Sequence, residues 1–163
     1  MGYRHHGSAR AGLAFNEAAY WRVAMPDAEC FMYFVAQLQR LFGPGDTLYV
    51  EGRAIDPDVA ALYLAQAAPV PQLVRPLDRH SAARRFHVAL GGRLTRRLNE
   101  LAARKTYLQI GESMLVIRPG GQVALDGSRL GERLVLLAGD LPEAAVRRFA
   151  GGPLRGQVEW VAE

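Results

Sequence analysis

The sequence predicts an α+β fold in a single domain, with a mixed sheet, an antiparallel C-terminal meander and about four packed helices. Its 163 residues are enough for one hydrophobic core and too few for two. Apolar residues make up 50% of the chain and charged residues 22%, which is a globular balance. The apolar pattern alternates between helical and strand periods early in the chain, and a period of two dominates later.

The domain is predicted to span residues 11–163, after a polar tail at residues 1–10 that is predicted to be disordered. The tail contains His5-His6-Gly7-Ser8, which we exclude from the fold. No internal repeat and no long linker divides the rest of the chain. We therefore expect one compact unit.

Several features predict a soluble, cytoplasmic protein. Polar residues interrupt residues 11–25, so no apolar secretion signal is present there. The single cysteine, Cys30, has no second cysteine for an intramolecular disulfide. The longest aliphatic run, at residues 134–138, is far shorter than the roughly 20 residues of a membrane-spanning helix.

The first half of the chain alternates strands with helices. The predicted elements are a strand at 20–25, a helix at 31–42, a strand at 47–51 and a helix from 57 to about 67. The first helix has one apolar stripe at spacings of three and four, with Asp27 as a cap and Gly43 at its end. Asp56-Pro57 provides an N-cap and a first-turn proline for the second helix.

The middle of the chain begins with an extended crossing. Three prolines within residues 69–76 exclude a helix there. Residues 86–90 alternate like a half-buried strand, although a helix that begins at Ser81 competes with it. After Gly91-Gly92, the leucines at 94, 98 and 101 predict a third helix.

Strands dominate the last third. They are predicted at 107–110, 114–118, 122–126, 134–138 and 157–161, the last of them at a sheet edge. Pro119-Gly120-Gly121 predicts a hairpin turn between the second and third of these. Acidic residues at 140 and 143 predict the capped start of a fourth helix that runs to Phe149.

Positive charge is concentrated in the middle of the chain. The net charge is +4, but residues 75–105 hold nine basic and two acidic residues. This segment, with a glycine pair before a helix, predicts a surface for phosphate or nucleic acid. The candidate anion-binding residues are Arg84, Arg85, Gly91, Gly92, Arg93, Arg96 and Arg97. The alternative is a solvated helix face in which Glu100 pairs with arginines one turn away.

The first helix also offers a surface for protein contacts. Met32 and Tyr33 lie away from its apolar stripe, so they are either buried by neighbouring elements or exposed as a partner-binding patch. Both alternatives are consistent with the sequence.

No motif in the sequence predicts catalysis. His80 and His87 lack an evident partner, and Glu51 and Glu112 are a carboxylate pair only if the fold brings them together. Residues 111–115 begin like a nucleophile elbow, but Leu115 stands where the second glycine is required. We find no pattern of metal ligands and no cofactor motif.

The function best supported by the sequence is therefore that of a non-catalytic domain that binds a protein partner or associates with itself. The alternative from a different class is anion binding through residues 75–105. The third possibility is a small hydrolase or transferase with His80 or His87 as the base.

Overall fold

A seven-stranded sheet forms the centre of the molecule. The computed structural model describes residues 18–27, 31–69, 83–128 and 130–162. Its strands are β1 (Ala19–Ala24), β2 (Thr47–Gly52), β3 (Arg84–Ala89), β4 (Ser113–Ile117), β5 (Val123–Gly127), β6 (Leu134–Ala138) and β7 (Gln157–Ala162). They lie in the order β3-β2-β4-β5-β6-β1-β7. The α+β class is therefore confirmed.

Every pair of neighbouring strands is antiparallel, so the expectation of a mixed sheet is wrong. The predicted helices between consecutive strands suggested that some neighbouring strands are parallel, because a helical crossover allows the next strand to run in the same direction as the previous one. Here β3 and β4 do run in the same direction, but β2 lies between them. The parallel strands are thus never adjacent.

Five α-helices are present in the described ranges. They are α1 (Phe31–Leu38), α2 (Pro57–Ala65), α3 (Gly92–Ala102), α4 (Tyr107–Ile110) and α5 (Glu143–Ala150). Asp56 caps α2 as expected, because its carboxylate accepts hydrogen bonds from the amides of Asp58 (2.9 Å) and Val59 (3.4 Å). None of these helices is long and apolar enough to cross a membrane.

The short helix α4 occupies residues that were predicted to be a strand. The side chain of Gln109 points back toward the start of α4, and its oxygen accepts a hydrogen bond from the Thr106 amide at 3.0 Å. This interaction is half of a capping box, and it favours one helical turn over an extended segment. A four-residue alternation of apolar residues was too short to exclude that turn.

Other boundaries differ in smaller ways. α5 has Pro142 at its N-cap and no capping side chain, because Asp140 instead binds Arg118 through two hydrogen bonds of 2.8 and 2.9 Å. β3 is a strand, so the competing helix from Ser81 does not extend over residues 84–89. The crossing predicted at 69–76 lies, apart from residue 69, outside the described residues.

The helices lie on one side of the sheet, where α3 packs against α1 and α2. Tyr63 of α2 packs on Phe86 of β3, with ring centroids 5.2 Å apart, and Phe34 of α1 packs on Phe149 of α5 at 5.9 Å. A small apolar pocket separates α1 and α4 from Met114 of β4. We call this side the helix face. The opposite face carries Tyr49, Glu51 and their neighbours, and it is also buried at its centre.

Candidate functional site

β7 lies at one edge of the sheet, and among the described residues β1 is its only strand partner. The pairing covers six residue pairs, from Ala19 opposite Ala162 to Ala24 opposite Gln157. No strand of the described residues pairs with the other side of β7, which therefore leaves a row of backbone groups for a further strand.

The β-ladder fixes which backbone groups of β7 point outward. The Met25 amide donates to the Arg133 carbonyl at 2.9 Å, next to the Ala24–Leu134 pair, so the odd-numbered residues of β1 bond to β6. The even-numbered residues of β1 then bond to β7, because the N–H and C=O of one residue point to the same side. In β7, residues 157, 159 and 161 therefore face β1. The outward groups belong to Val158, Trp160 and Ala162, which we call the open edge.

The open edge carries an exposed aromatic side chain. Trp160 leaves 47% of its surface accessible, and its ring lies 4.5 Å from that of Trp21 on the helix face. Trp21 is held in place by a hydrogen bond of 3.1 Å from its indole nitrogen to the Leu141 carbonyl. The edge thus combines three outward backbone positions with a fixed apolar surface.

The charge on β7 is already compensated within the molecule. Glu159 lies on the face opposite Trp160, and its carboxylate is 3.3 Å from the Arg22 guanidinium on β1. A strand approaching the open edge therefore meets a pair of opposite charges rather than an isolated carboxylate.

The other edge, at β3, is covered by the chain itself. The Ala68 amide donates to the His87 carbonyl at 2.9 Å, and the Ala89 amide donates to the Gln66 carbonyl at 2.8 Å. Ala67 forms an isolated bridge with Val88. These bonds occupy the outward backbone groups at one end of β3, and two exposed arginines, Arg84 and Arg85, lie at the other end.

A polar cluster, buried at Tyr49 and Glu51 and open to solvent at Arg85, joins β2 to β3. Glu51 is 1% exposed, and its carboxylate accepts a hydrogen bond from the Tyr49 hydroxyl. Arg85 stands opposite Glu51 in the register, and His87 stands opposite Tyr49 with ring centroids 4.7 Å apart. The cluster therefore places an acid, a phenol, a guanidinium and an imidazole on one face of two strands.

The environment of this cluster shifts two of its pKa values. Burial, and next the hydrogen bond to Glu51, raise the pKa of the Tyr49 phenol, while the Arg85 guanidinium acts in the opposite direction. Burial lowers the pKa of His87, whose buried Nε2 has no hydrogen-bond partner among the described residues. A neutral histidine beside a neutral phenol is thus the favoured state near pH 7.

The candidate anion-binding residues are divided among several environments. Arg84 lies over the Phe86 ring at 5.0 Å, Arg85 belongs to the polar cluster, and Arg97 is 3.6 Å from Glu100. Gly91 is the N-cap of α3, and Gly92 is its first residue. Arg93 and Arg96 are exposed on α3, and neither has an ion-pair partner among the described residues.

The predicted partner-binding residues lie on α1. Tyr33 is 43% exposed, whereas the side chain of Met32 lies outside the part of the molecule that the structure describes. Cys30 and His80 also lie outside it.

The carboxylates of Glu51 and Glu112 do not form a pair. The two residues are joined through the backbone, because the Glu112 amide donates to the Glu51 carbonyl at 2.8 Å. The Glu112 carboxylate instead accepts a hydrogen bond of 2.7 Å from the Arg53 amide. Ser113 begins β4, and its hydroxyl donates to the Ser128 carbonyl at 3.4 Å.

Within the described ranges, no group of three or more histidine, cysteine or carboxylate side chains is placed to hold a metal ion. Comparisons with protein-family models, with curated proteins and with solved structures each found no match to this chain.

Sequence reasoning missed two features of the site. It predicted an edge strand at residues 157–161 but gave Trp160 no role, although an aromatic residue on an edge strand is a recognisable sign of a contact surface. It also missed the cluster of Tyr49, Glu51 and Arg85, because only the register between two distant strands brings these residues together.

Proposed function

We propose that this chain acts by self-association through the open edge of β7, as a binding protein without a catalytic centre of its own. The observation that carries the proposal is the exposed Trp160 on an edge whose outward backbone groups have no strand partner among the described residues. An edge of this kind is a ready template for another strand.

The character of the edge supports this function. Natural proteins usually protect an exposed edge with charged side chains, proline, a bulge or a covering loop. β7 contains no proline, its one charged side chain within 157–162 faces Arg22, and its outward residues are valine, tryptophan and alanine. Pairing at this edge would give hydrogen bonds to the outward N–H and C=O groups of β7, and it would also bury part of the Trp160 ring.

The test is the association state of the full chain, measured by sedimentation equilibrium over a wide concentration range. We expect the wild type to show a reversible monomer–dimer equilibrium. Ala162→Pro removes one outward amide donor and should weaken the dimer by about tenfold or more, since two bonds are lost per symmetric dimer at roughly 1 kcal/mol each. Ala162→Val is the matched control, because it keeps the amide, and its dimer should persist.

A second control separates the open edge from the surface predicted on the first helix. Tyr33→Ser removes the exposed ring of α1 and leaves β7 intact, so it should dissociate no dimer that forms through β7. A wild-type chain that stays monomeric at every concentration would contradict the proposal. A dimer that Tyr33→Ser dissociates and Ala162→Pro does not would also contradict it.

Anion binding is the second candidate, and the exposed Arg93 and Arg96 on α3 favour it. Because phosphate contacts release counterions, binding of duplex DNA should weaken with salt by a slope of about −0.9 per contacted phosphate. Arg93→Gln with Arg96→Gln should reduce that slope by about two, relative to an Arg147→Gln control on α5. A salt-independent signal, or no binding at low salt, would remove this candidate.

A further inference from the structure

We infer that the partner at the open edge is a second copy of this chain, which pairs antiparallel about a twofold axis that passes through Trp160. The inference rests on the proposed self-association and adds its register. Each Trp160 would lie opposite its symmetry mate, and the two seven-stranded sheets would join into one continuous sheet of fourteen strands.

Strand geometry restricts the registers that are possible. Residues directly opposite each other in an antiparallel pair point to the same face of the sheet. In a pair of identical strands related by a twofold axis, the axis must therefore pass through a residue rather than between two residues. Centres at Glu159 and Trp160 both overlap five residues within β7, whereas more terminal centres overlap fewer.

Charge disfavours the centre at Glu159. This register would set Glu159 opposite its own symmetry mate as a non-hydrogen-bonded pair. Side chains lie closer together in such pairs than in hydrogen-bonded ones. Two carboxylates opposite each other are destabilising. The Arg22 guanidinium of the same chain, which donates a hydrogen bond to each Glu159 carboxylate, would have to offset the repulsion from the second carboxylate as well. In the register centred on Trp160, Glu159 instead faces Val161 of the other copy.

Hydrogen bonding favours the centre at Trp160. In this register Trp160 forms a hydrogen-bonded pair with Trp160 of the other copy, and Val158 of each copy forms one with Ala162 of the other. Each of these three pairs exchanges two backbone hydrogen bonds, which gives about six in total. The register centred on Glu159 would extend to Gly156, whose amide already donates to the Ala150 carbonyl at 2.7 Å. The register centred on Trp160 ends before that residue and uses only the open edge.

The same register also accounts for the exposed indole. Trp160 packs on the buried Trp21 of its own chain, on the helix face. Its symmetry mate would stand across the twofold axis with the same arrangement, so that four indoles form one row. Aromatic cross-strand pairs of this kind add to the stability of a sheet.

Disulfide trapping tests the register. Two single variants, Glu159→Cys and Val161→Cys, are made in a Cys30→Ser background and treated with a mild oxidant, separately and as a mixture. In the register centred on Trp160, residue 159 faces residue 161 of the other copy, at a separation that allows a disulfide. Each variant alone would place its own cysteines about 8 Å apart, which is beyond disulfide reach.

We expect the mixture to form a covalent heterodimer and each variant alone to remain largely uncrosslinked. Rapid crosslinking of a mixture of Gln157→Cys and Val161→Cys, which keeps Glu159 and sets residues 157 and 161 opposite each other only in the register centred on Glu159, would overturn the register but leave self-association standing. Sedimentation of the same reduced samples distinguishes the two failures, because loss of the dimer at all concentrations would refute the proposed function itself.

Discussion

The two edges of the sheet are treated in opposite ways. At β3 residues 66–68 pair with one end of the strand, and the exposed Arg84 and Arg85 lie at its other end. At β7 the open edge carries Trp160 and apolar neighbours. An unprotected edge is a liability in a monomer, so the contrast indicates which edge is suited to a partner strand.

Each edge also has a cross-strand pair of opposite charges beside it, and the two pairs differ in how exposed the carboxylate is. Glu51 is 1% exposed, and Arg85 stands opposite it in the β2–β3 register. Glu159 and Arg22 form the corresponding pair near β7, with side chains 62% and 46% exposed. Water screens the second pair but not the Glu51 carboxylate, so the first pair should matter more for stability.

The largest expected effect comes from breaking the pair beside β3. Arg85→Met keeps the aliphatic stem and removes the charge opposite buried Glu51, which should lower the free energy of unfolding by about 2 kcal/mol. Glu159→Gln is the matched change beside β7 and should cost less than about 1 kcal/mol. Urea unfolding of both variants measures the difference, and equal losses would show that burial does not distinguish the two pairs.

The next effect tests the cover of β3. Ala68→Pro removes the amide that donates to the His87 carbonyl, and it should destabilise the fold by about 1 kcal/mol. Residue 67 is already extended in its bridge with Val88, so a following proline does not strain it. Ala68→Ser keeps the amide and serves as the control. A proline variant as stable as the serine variant in urea unfolding would mean that the cover contributes nothing.

The sequence predicted those features of each edge that depend on neighbouring residues in the chain, and it did not predict those that depend on contacts with distant residues. The alternation in residues 157–161 predicted a strand at a sheet edge, and β7 confirms it. The cover of β3 was missed, because the second helix was expected to run to about residue 67. It ends at Ala65, and the next residues bond to β3 instead. Tertiary hydrogen bonds decided this boundary, and the pattern of apolar residues does not contain them.

Long-range register explains the rest of what was missed. The basic segment that contains Arg85 gives no sign that this residue lies opposite Glu51, which is 34 residues earlier in the chain. The sequence shows both residue types and does not show which strand lies beside which. The same limit applies to the strand order, in which β2 separates β3 from β4.

The smallest effect concerns His87, the residue whose carbonyl is covered and whose imidazole lies beside Tyr49. Because burial lowers the pKa of His87, the unfolded chain takes up a proton at a higher pH than the folded chain. Stability should therefore fall as the pH drops below about 6.5, the ordinary value for histidine. His87→Phe keeps a ring against Tyr49 and removes the titration. Between about pH 7 and pH 5, the free energy of unfolding of the wild type should fall relative to that of His87→Phe. A difference between the two chains that does not change with pH would show that folding does not change the pKa of His87.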